Sequence, residues 1–174
     1  MSKNAPQFER RERDAYMTPP EAVRPLGPFI DRGTKFYEPC AGDGGLARTL
    51  VKELELVCTG MSDIEPLAPD VAKFDLFEME TVLTGCFVTN PPWDRPTLHG
   101  IIDHLKHIAP TWLLIDADWL FTKQAARHIP DATDIVPIGR LKWIAGSPHA
   151  GKDNCCWVRF KGGHDAGPRF YPNW

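Results

Sequence analysis

The sequence predicts a doubly wound α/β sheet, mostly parallel and finished by an antiparallel C-terminal hairpin strand. Three observations carry that expectation. Short apolar runs alternate with helical or turn-forming stretches through most of the chain. A glycine turn, Cys40-Ala41-Gly42-Asp43-Gly44-Gly45, stands between the first such run and a helical repeat. The last two apolar runs have no helical pattern between them, so they should pair antiparallel.

Residues 1–17 are polar and charged without a usable period, and read as a mobile arm. Thr18-Pro19-Pro20 opens a short helix that Pro25, Gly27 and Pro28 keep broken. Lys35 to Pro39 is a strand stopped by proline, and Leu46, Leu50, Val51 and Leu54 then recur at helical spacing. Leu56 to Asp63 and Val71 to Asp75 read as strands that each close on an acid; Cys86 to Thr89 is a fourth. A helix from Thr97 to Ala109 leads to a buried strand at Trp112 to Asp116, and another helix is expected near Thr122 to His128. Ile135 to Ile144 and Cys155 to Phe160 form the hairpin. Residues 18–161 thus make one domain, and 162–174 an irregular Gly/Pro-rich tail.

The 174 residues suffice for one sizeable core. No apolar run approaches a membrane span and the start lacks a signal peptide's apolar region, so a cytoplasmic protein is expected, without a membrane partner. There are five cysteines and no C-x-x-C pair; three of them sit in apolar stretches and read as reduced, buried small hydrophobes, and no metal set is evident. His99, His104 and His107 on one helix read as solvated side chains. Net charge is −3, yet residues 137–174 carry six Lys/Arg against two Asp/Glu, a distribution able to steer a polyanion to one side.

The chemistry concentrates where the fourth strand ends, at Thr89-Asn90-Pro91-Pro92-Trp93. Two prolines fix φ and remove two donors, forcing a stiff elbow. It offers one amide, free carbonyls and an indole, a set suited to a planar ring bearing an exocyclic amine. The oxygens of Asn90 and Pro91 can accept the two N–H bonds while Trp93 stacks on the ring. The glycine turn suits a nucleotide-like ligand, although Gly42-x-Gly44 lacks the third glycine of the dinucleotide fingerprint. Asp63 lies at the offset where an acid bonds ribose hydroxyls. Asp75 could accept from an adenine amine, with Leu76 or Phe77 covering the ring. Asp116, Asp118 and Trp119 read as a strand-end turn and a core indole, or as pocket lining.

Taken together, Thr18-Pro19-Pro20, Tyr37 to Gly44, Asp63, Asp75 and the Asn90–Trp93 elbow resemble the class I S-adenosylmethionine-dependent methyltransferases that modify exocyclic amines. The order is most similar to the small adenine-N6 DNA methyltransferases of phage and bacterial genomes. The resemblance implies a Rossmann-like methyltransferase sheet, S-adenosylmethionine as cofactor, and nucleic acid as partner, with DNA favoured. It implies that Thr18, Pro19, Glu38, Pro39, Ala41, Gly42, Asp43 and Gly44 surround the methionine part of the cofactor. Asp63 with Ile64 would hold the ribose, and Asp75 with Leu76 the adenine. Asn90 would touch both cofactor and acceptor, and Asn90, Pro91, Pro92 and Trp93 would carry catalysis. No recognition domain is inserted between Phe77 and Phe87, so sequence specificity is either low or left to the arm, the Gly146–Lys152 loop and the tail. The same elbow type serves RNA adenine, cytosine-N4 and protein glutamine methylation. A non-catalytic binding protein of this fold is the alternative from another class.

Overall fold

The computed structural model describes residues 17–144, 146 and 148–172. The expected N-terminal arm lies, apart from Met17, outside the described residues, as do positions 173 and 174 of the tail. Among the described residues, eight strands form one sheet: β1 (Lys35–Glu38), β2 (Val57–Asp63), β3 (Ala72–Lys73), β4 (Cys86–Thr89), β5 (Thr111–Asp116), β6 (Ala132–Arg140), β7 (Asn154–Phe160) and β8 (Arg169–Phe170). Their order is β3-β2-β1-β4-β5-β7-β6-β8. Every pairing is parallel except the two that β7 makes, with β5 and with β6. The antiparallel strand therefore lies inside the sheet, with β6 beyond it, and not at an edge.

Among the described residues, two α-helices pack on opposite faces. Helix α1 (Gly45–Leu54) buries Leu46, Ala47 and Leu50. Helix α2 (Arg95–Ile108) starts where the Asp94 carboxylate accepts from Thr97 N–H at 3.1 Å, with Pro96 in its first turn. Strand residues alternate between the two cores. Phe36, Val88, Trp112, Leu114 and Trp157 join α1, whereas Phe87, Leu113, Ile115, Cys156 and Val158 join Leu98, Ile101, Ile102 and Leu105 of α2. With α1 between β1 and β2 and α2 between β4 and β5, the sheet reverses direction between β1 and β4. Open α/β sheets bind ligands beyond the strand ends at such a reversal.

Three expected elements differ. The helix near Thr122 to His128 is instead a chain of 3₁₀ turns, Ala117–Phe121, Ala125–Arg127 and Ile129–Asp131. Thr122 donates its hydroxyl to the Trp119 carbonyl at 2.8 Å and Pro130 has no N–H, so the α-helical ladder never closes. Strand β6 begins earlier than expected and stops at Arg140, with a bulge between Pro137 and Gly139, whose φ is +78°. The tail is not wholly irregular. Arg169 and Phe170 pair with Asp134 and Ile135, locked by a 3.0 Å bond from the Tyr171 hydroxyl to Asp134 Oδ1. Among the described residues no helix is long and apolar enough to cross a membrane.

Candidate active site

Strand β1 ends on Glu38, which is 1 % exposed. Its Oε2 accepts from the Ala47 N–H at 2.8 Å, so a buried carboxyl caps the first turn of α1. Burial pushes that carboxyl well above its ordinary range; the nearby acids Asp43 and Asp63 push the same way, and the Ala47 N–H opposes them. Between strand and helix the chain must reverse within a few residues. Gly42 and Gly44 adopt φ of +55° and +77°, which L side chains avoid. A Cβ on Gly44 would also stand 3.1 Å from Met61 Sδ. Asp43 Oδ1 accepts from Gly45 N–H at 2.7 Å, tightening the turn.

The acid at the end of β2 braces this turn. Asp63 Oδ2 accepts from Gly42 N–H at 2.8 Å and Oδ1 from Glu65 N–H at 2.9 Å. A carboxylate has about four acceptor sites, so two bonds leave capacity for a ligand's hydroxyls. Asp75 closes the next connection in the same way, its Oδ1 accepting from Phe77 N–H at 3.0 Å.

At the end of β4 the sequence dictates the geometry. The last ladder partner of β4 on β5 is Leu113, opposite Thr89. Pro91 and Pro92 supply no donor beyond it. The carbonyl of Leu114 is met instead by the Trp93 indole N–H at 3.0 Å. Along this extended stretch alternate residues face opposite ways. Asn90 and Pro92 line a cleft, whereas Pro91 is buried and Trp93 packs against the α1-side core with its ring near Trp143. Asn90 Oδ1 is buried without a hydrogen-bond partner among the described residues.

That cleft encloses about 500 Å³ and lies over the ends of β1, β2 and β4. Of the residues expected around a ligand, it is lined by Thr18, Glu38, Pro39, Ala41, Gly42, Asp43, Asp63, Ile64, Asp75, Leu76, Asn90 and Pro92. Pro19, Gly44, Pro91 and Trp93 fall outside the lining. Gly44 is the buried N-cap residue of α1, and Trp93 is held by Leu114 on the far side of the elbow. Sequence reasoning missed Met17, Leu46, Leu67, Phe74, Thr97 and Ile101, apolar or small residues whose only signal is to stand beside a strand end or on the inner face of a helix. Asp116, Asp118 and Trp119 are not part of it. Asp116 accepts from Asp118 N–H at 2.9 Å, and Trp119 is fully buried, donating its indole N–H to His99 Nε2 at 3.0 Å. His99 is therefore a core histidine and not a solvated one, and His104 is half-buried against Phe77; His107 alone of the three is exposed. Among the described residues no group of three His, Cys, Asp or Glu is placed to hold a metal.

The fold matches one known architecture. The chain superposes on a dimethyladenosine transferase from Plasmodium falciparum with a TM-score of 0.53 at 11% identity, over 84% of this chain and 62% of that one. It superposes on a protein described as a modification subunit of a type I restriction enzyme from Vibrio vulnificus YJ016 with a TM-score of 0.55 at 14% identity, over 90% and 46%. A third match, at TM-score 0.56 and 10% identity over 86% and 60%, is a protein from Listeria monocytogenes described as a class I S-adenosylmethionine-dependent methyltransferase. The fold is the Rossmann-like fold of class I methyltransferases. This chain spans less than two thirds of the length of each of the three. No protein-family model matches the sequence, and no curated protein matches it.

Proposed function

We propose that the protein is an S-adenosylmethionine-dependent methyltransferase whose acceptor is an exocyclic nucleobase amine, adenine N6 in DNA. One observation carries this reading. Asn90 Oδ1 is a buried acceptor without a partner, in the same cleft as the Gly42 turn, Asp63 and Asp75. A buried acceptor left empty costs the fold free energy, and a donor arriving with a ligand removes that cost.

The cleft fits the cofactor on its own chemistry. Thr18 and the Glu38–Asp43 turn surround the methionine part, with Gly42 allowing close backbone approach. Asp63, with Ile64, offers its remaining acceptor sites to the ribose hydroxyls. Asp75, with Leu76 and Phe77, forms the acidic and apolar sides of the adenine site. When bound, S-adenosylmethionine supplies a methyl group activated by its sulfonium.

The elbow does the rest. Asn90 Oδ1 and the Pro91 carbonyl accept the two amine N–H bonds, which favours a pyramidal nitrogen with its lone pair free to attack. Pro91 and Pro92 hold both acceptors rigid, so the contribution is positioning and electrostatic pre-organisation. Trp93, turned to the far side of the elbow, braces it through its bond to the Leu114 carbonyl, and a base in duplex must be flipped out to reach the two acceptors. The surplus of six cations over two acids in residues 137–174 supports a polyanionic substrate. RNA adenine is the second reading, favoured by the likeness to a dimethyladenosine transferase.

The test is a tritiated-methyl transfer assay on DNA, RNA and protein side by side. Label entering DNA at adenine is expected. Label entering only protein would overturn the acceptor, and no label in any substrate would overturn the activity.

A further inference from the structure

The fourth residue of the elbow turns away from the cleft and meets the β6–β7 loop, a contact the proposed reaction does not use. The Trp93 and Trp143 rings lie 5.5 Å apart at 81°, the edge-to-face arrangement that ring quadrupoles favour. Trp143 is partly buried, three residues past the end of β6. Its seat depends on a glycine across the loop. A Cβ at Gly151 would stand 2.9 Å from Trp143 Cδ1, closer than real Cβ contacts come, and a tight 3.1 Å from its Nε1. Gly151 N–H also donates to the Leu141 carbonyl at 2.7 Å, clamping the two limbs of the loop.

Charge does not explain this construction. Arg140, Lys142 and Lys152 are exposed on the loop limbs, but Asp153 stands among them, and Asp116 at the end of β5 is close enough to feel it. The region is near neutrality. Leu141, 3 % exposed, anchors the loop in the α1-side cluster, and Trp143 packs against the same cluster. Trp143 also touches Trp93, three residues beyond Asn90, whose indole N–H is tied to the Leu114 carbonyl. Trp93 is thus held from two sides, by the sheet and by the loop.

We propose that Trp143 is a positioning residue for the acceptor: from the β6–β7 loop it fixes the Trp93 indole, and through it the Asn90–Trp93 elbow, in the geometry that receives the nucleobase. The inference rests on the reading that the elbow presents an acceptor amine. It makes the β6–β7 loop part of the acceptor site, and it explains why position 151 carries no side chain.

The experiment uses Trp143→Ala, Trp143→Phe, Gly151→Ala, Trp93→Ala and the double variant Trp93→Ala/Trp143→Ala. Binding of a single-stranded oligonucleotide bearing one adenine is followed by fluorescence anisotropy with S-adenosylhomocysteine present. Methyl transfer is measured in parallel. One aromatic pair is worth about twofold to tenfold. Trp143→Ala should weaken oligonucleotide binding and raise acceptor KM by that factor while cofactor affinity stays unchanged. Trp143→Phe should recover most of the loss, and Gly151→Ala, which displaces the ring without removing it, should reproduce part of it. The double variant should be no worse than Trp93→Ala. Additive losses, or cofactor affinity falling in step with acceptor binding as general loosening would produce, would overturn the proposal. Should Trp143→Ala not fold, the Trp143→Phe and Gly151→Ala arms decide it. A wild-type protein that methylates a nucleobase while Trp143→Ala matches it defeats this inference alone. A wild-type protein that takes up cofactor but binds and methylates no nucleic acid defeats the functional reading as well.

Discussion

Replacing Asn90 by alanine separates chemistry from folding more cleanly than any other change. The amide oxygen is buried with no hydrogen-bond partner among the described residues, so the ground state gains nothing from it. An orphaned buried acceptor costs about 1–3 kcal/mol. Asn90→Ala removes that cost and forfeits only the packing of a small half-buried side chain, so unfolding free energy should be unchanged or higher. In the transition state the same oxygen accepts an N–H bond from the amine. Losing one pre-organised contact of this kind typically lowers turnover by about 10²–10³-fold, or ~2.7–4 kcal/mol. Urea unfolding, calorimetric titration with S-adenosylmethionine and tritiated-methyl transfer to single-stranded DNA read the three quantities. The expected pattern is intact stability, cofactor affinity within about threefold, or ~0.7 kcal/mol, and collapsed turnover. Wild-type turnover in Asn90→Ala, or a loss of stability that accounts for the loss of activity, would refute the reasoning.

Asp63→Ala should weaken cofactor binding by at least about tenfold, since it loses charge-assisted hydrogen bonds and also frees the Gly42 N–H it braces; unchanged affinity in calorimetry would remove Asp63 from the site. The Glu38 carboxyl is raised by burial above its ordinary 4.5, so its stabilising contribution is full below pH 4.5 and is lost as pH rises through the folded value. Glu38→Gln keeps an acceptor for the Ala47 N–H without the titration. Its urea midpoint should therefore fall less than wild type's between pH 4.5 and neutrality; parallel curves would contradict this. His128, 1 % exposed, is pushed down to about 4 chiefly by burial, with His99, Arg127 and Lys106 adding to the shift and Asp103 opposing it. Its contribution is full above pH 6.5 and is lost as pH falls through 4. His128→Gln should flatten the acid side of the stability profile over that window, and an unaltered slope would exclude His128 as its source.

How far the sequence was legible depended on whether neighbours or distant residues decide a position. The strand-ending acids, the glycine turn and the proline elbow are local features: proline cannot donate, and Gly42 and Gly44 must take positive φ, so their structures follow from the residues themselves. The antiparallel pairing of β7 was equally legible, because no helical pattern separates it from β6. Its place inside the sheet was not, since that depends on which strand edge the hairpin finds free. The 3₁₀ turns after β5 looked helical because spacing alone carries no information about Pro130 or the Thr122 hydroxyl bond. His99 read as solvated because nothing near it in sequence announces Trp119, twenty positions away, as its donor. Trp93 faces away from the cleft because Leu114, on a neighbouring strand, offers the carbonyl that the prolines leave unbonded. The cleft's apolar lining, with Leu67, Phe74 and Ile101, lacks any polar signature by which the sequence alone could have marked it.

The central claim is that one cleft holds S-adenosylmethionine and presents its methyl group to an amine bonded by Asn90. The most direct measurement incubates the protein with DNA and S-adenosylmethionine, digests the DNA to nucleosides, and identifies the product by chromatography and mass. The account predicts N6-methyldeoxyadenosine from the wild-type protein and about 10²–10³-fold less from Asn90→Ala. Methylation at another atom, equal product from both proteins, or none from a wild-type protein shown to bind the cofactor would contradict it.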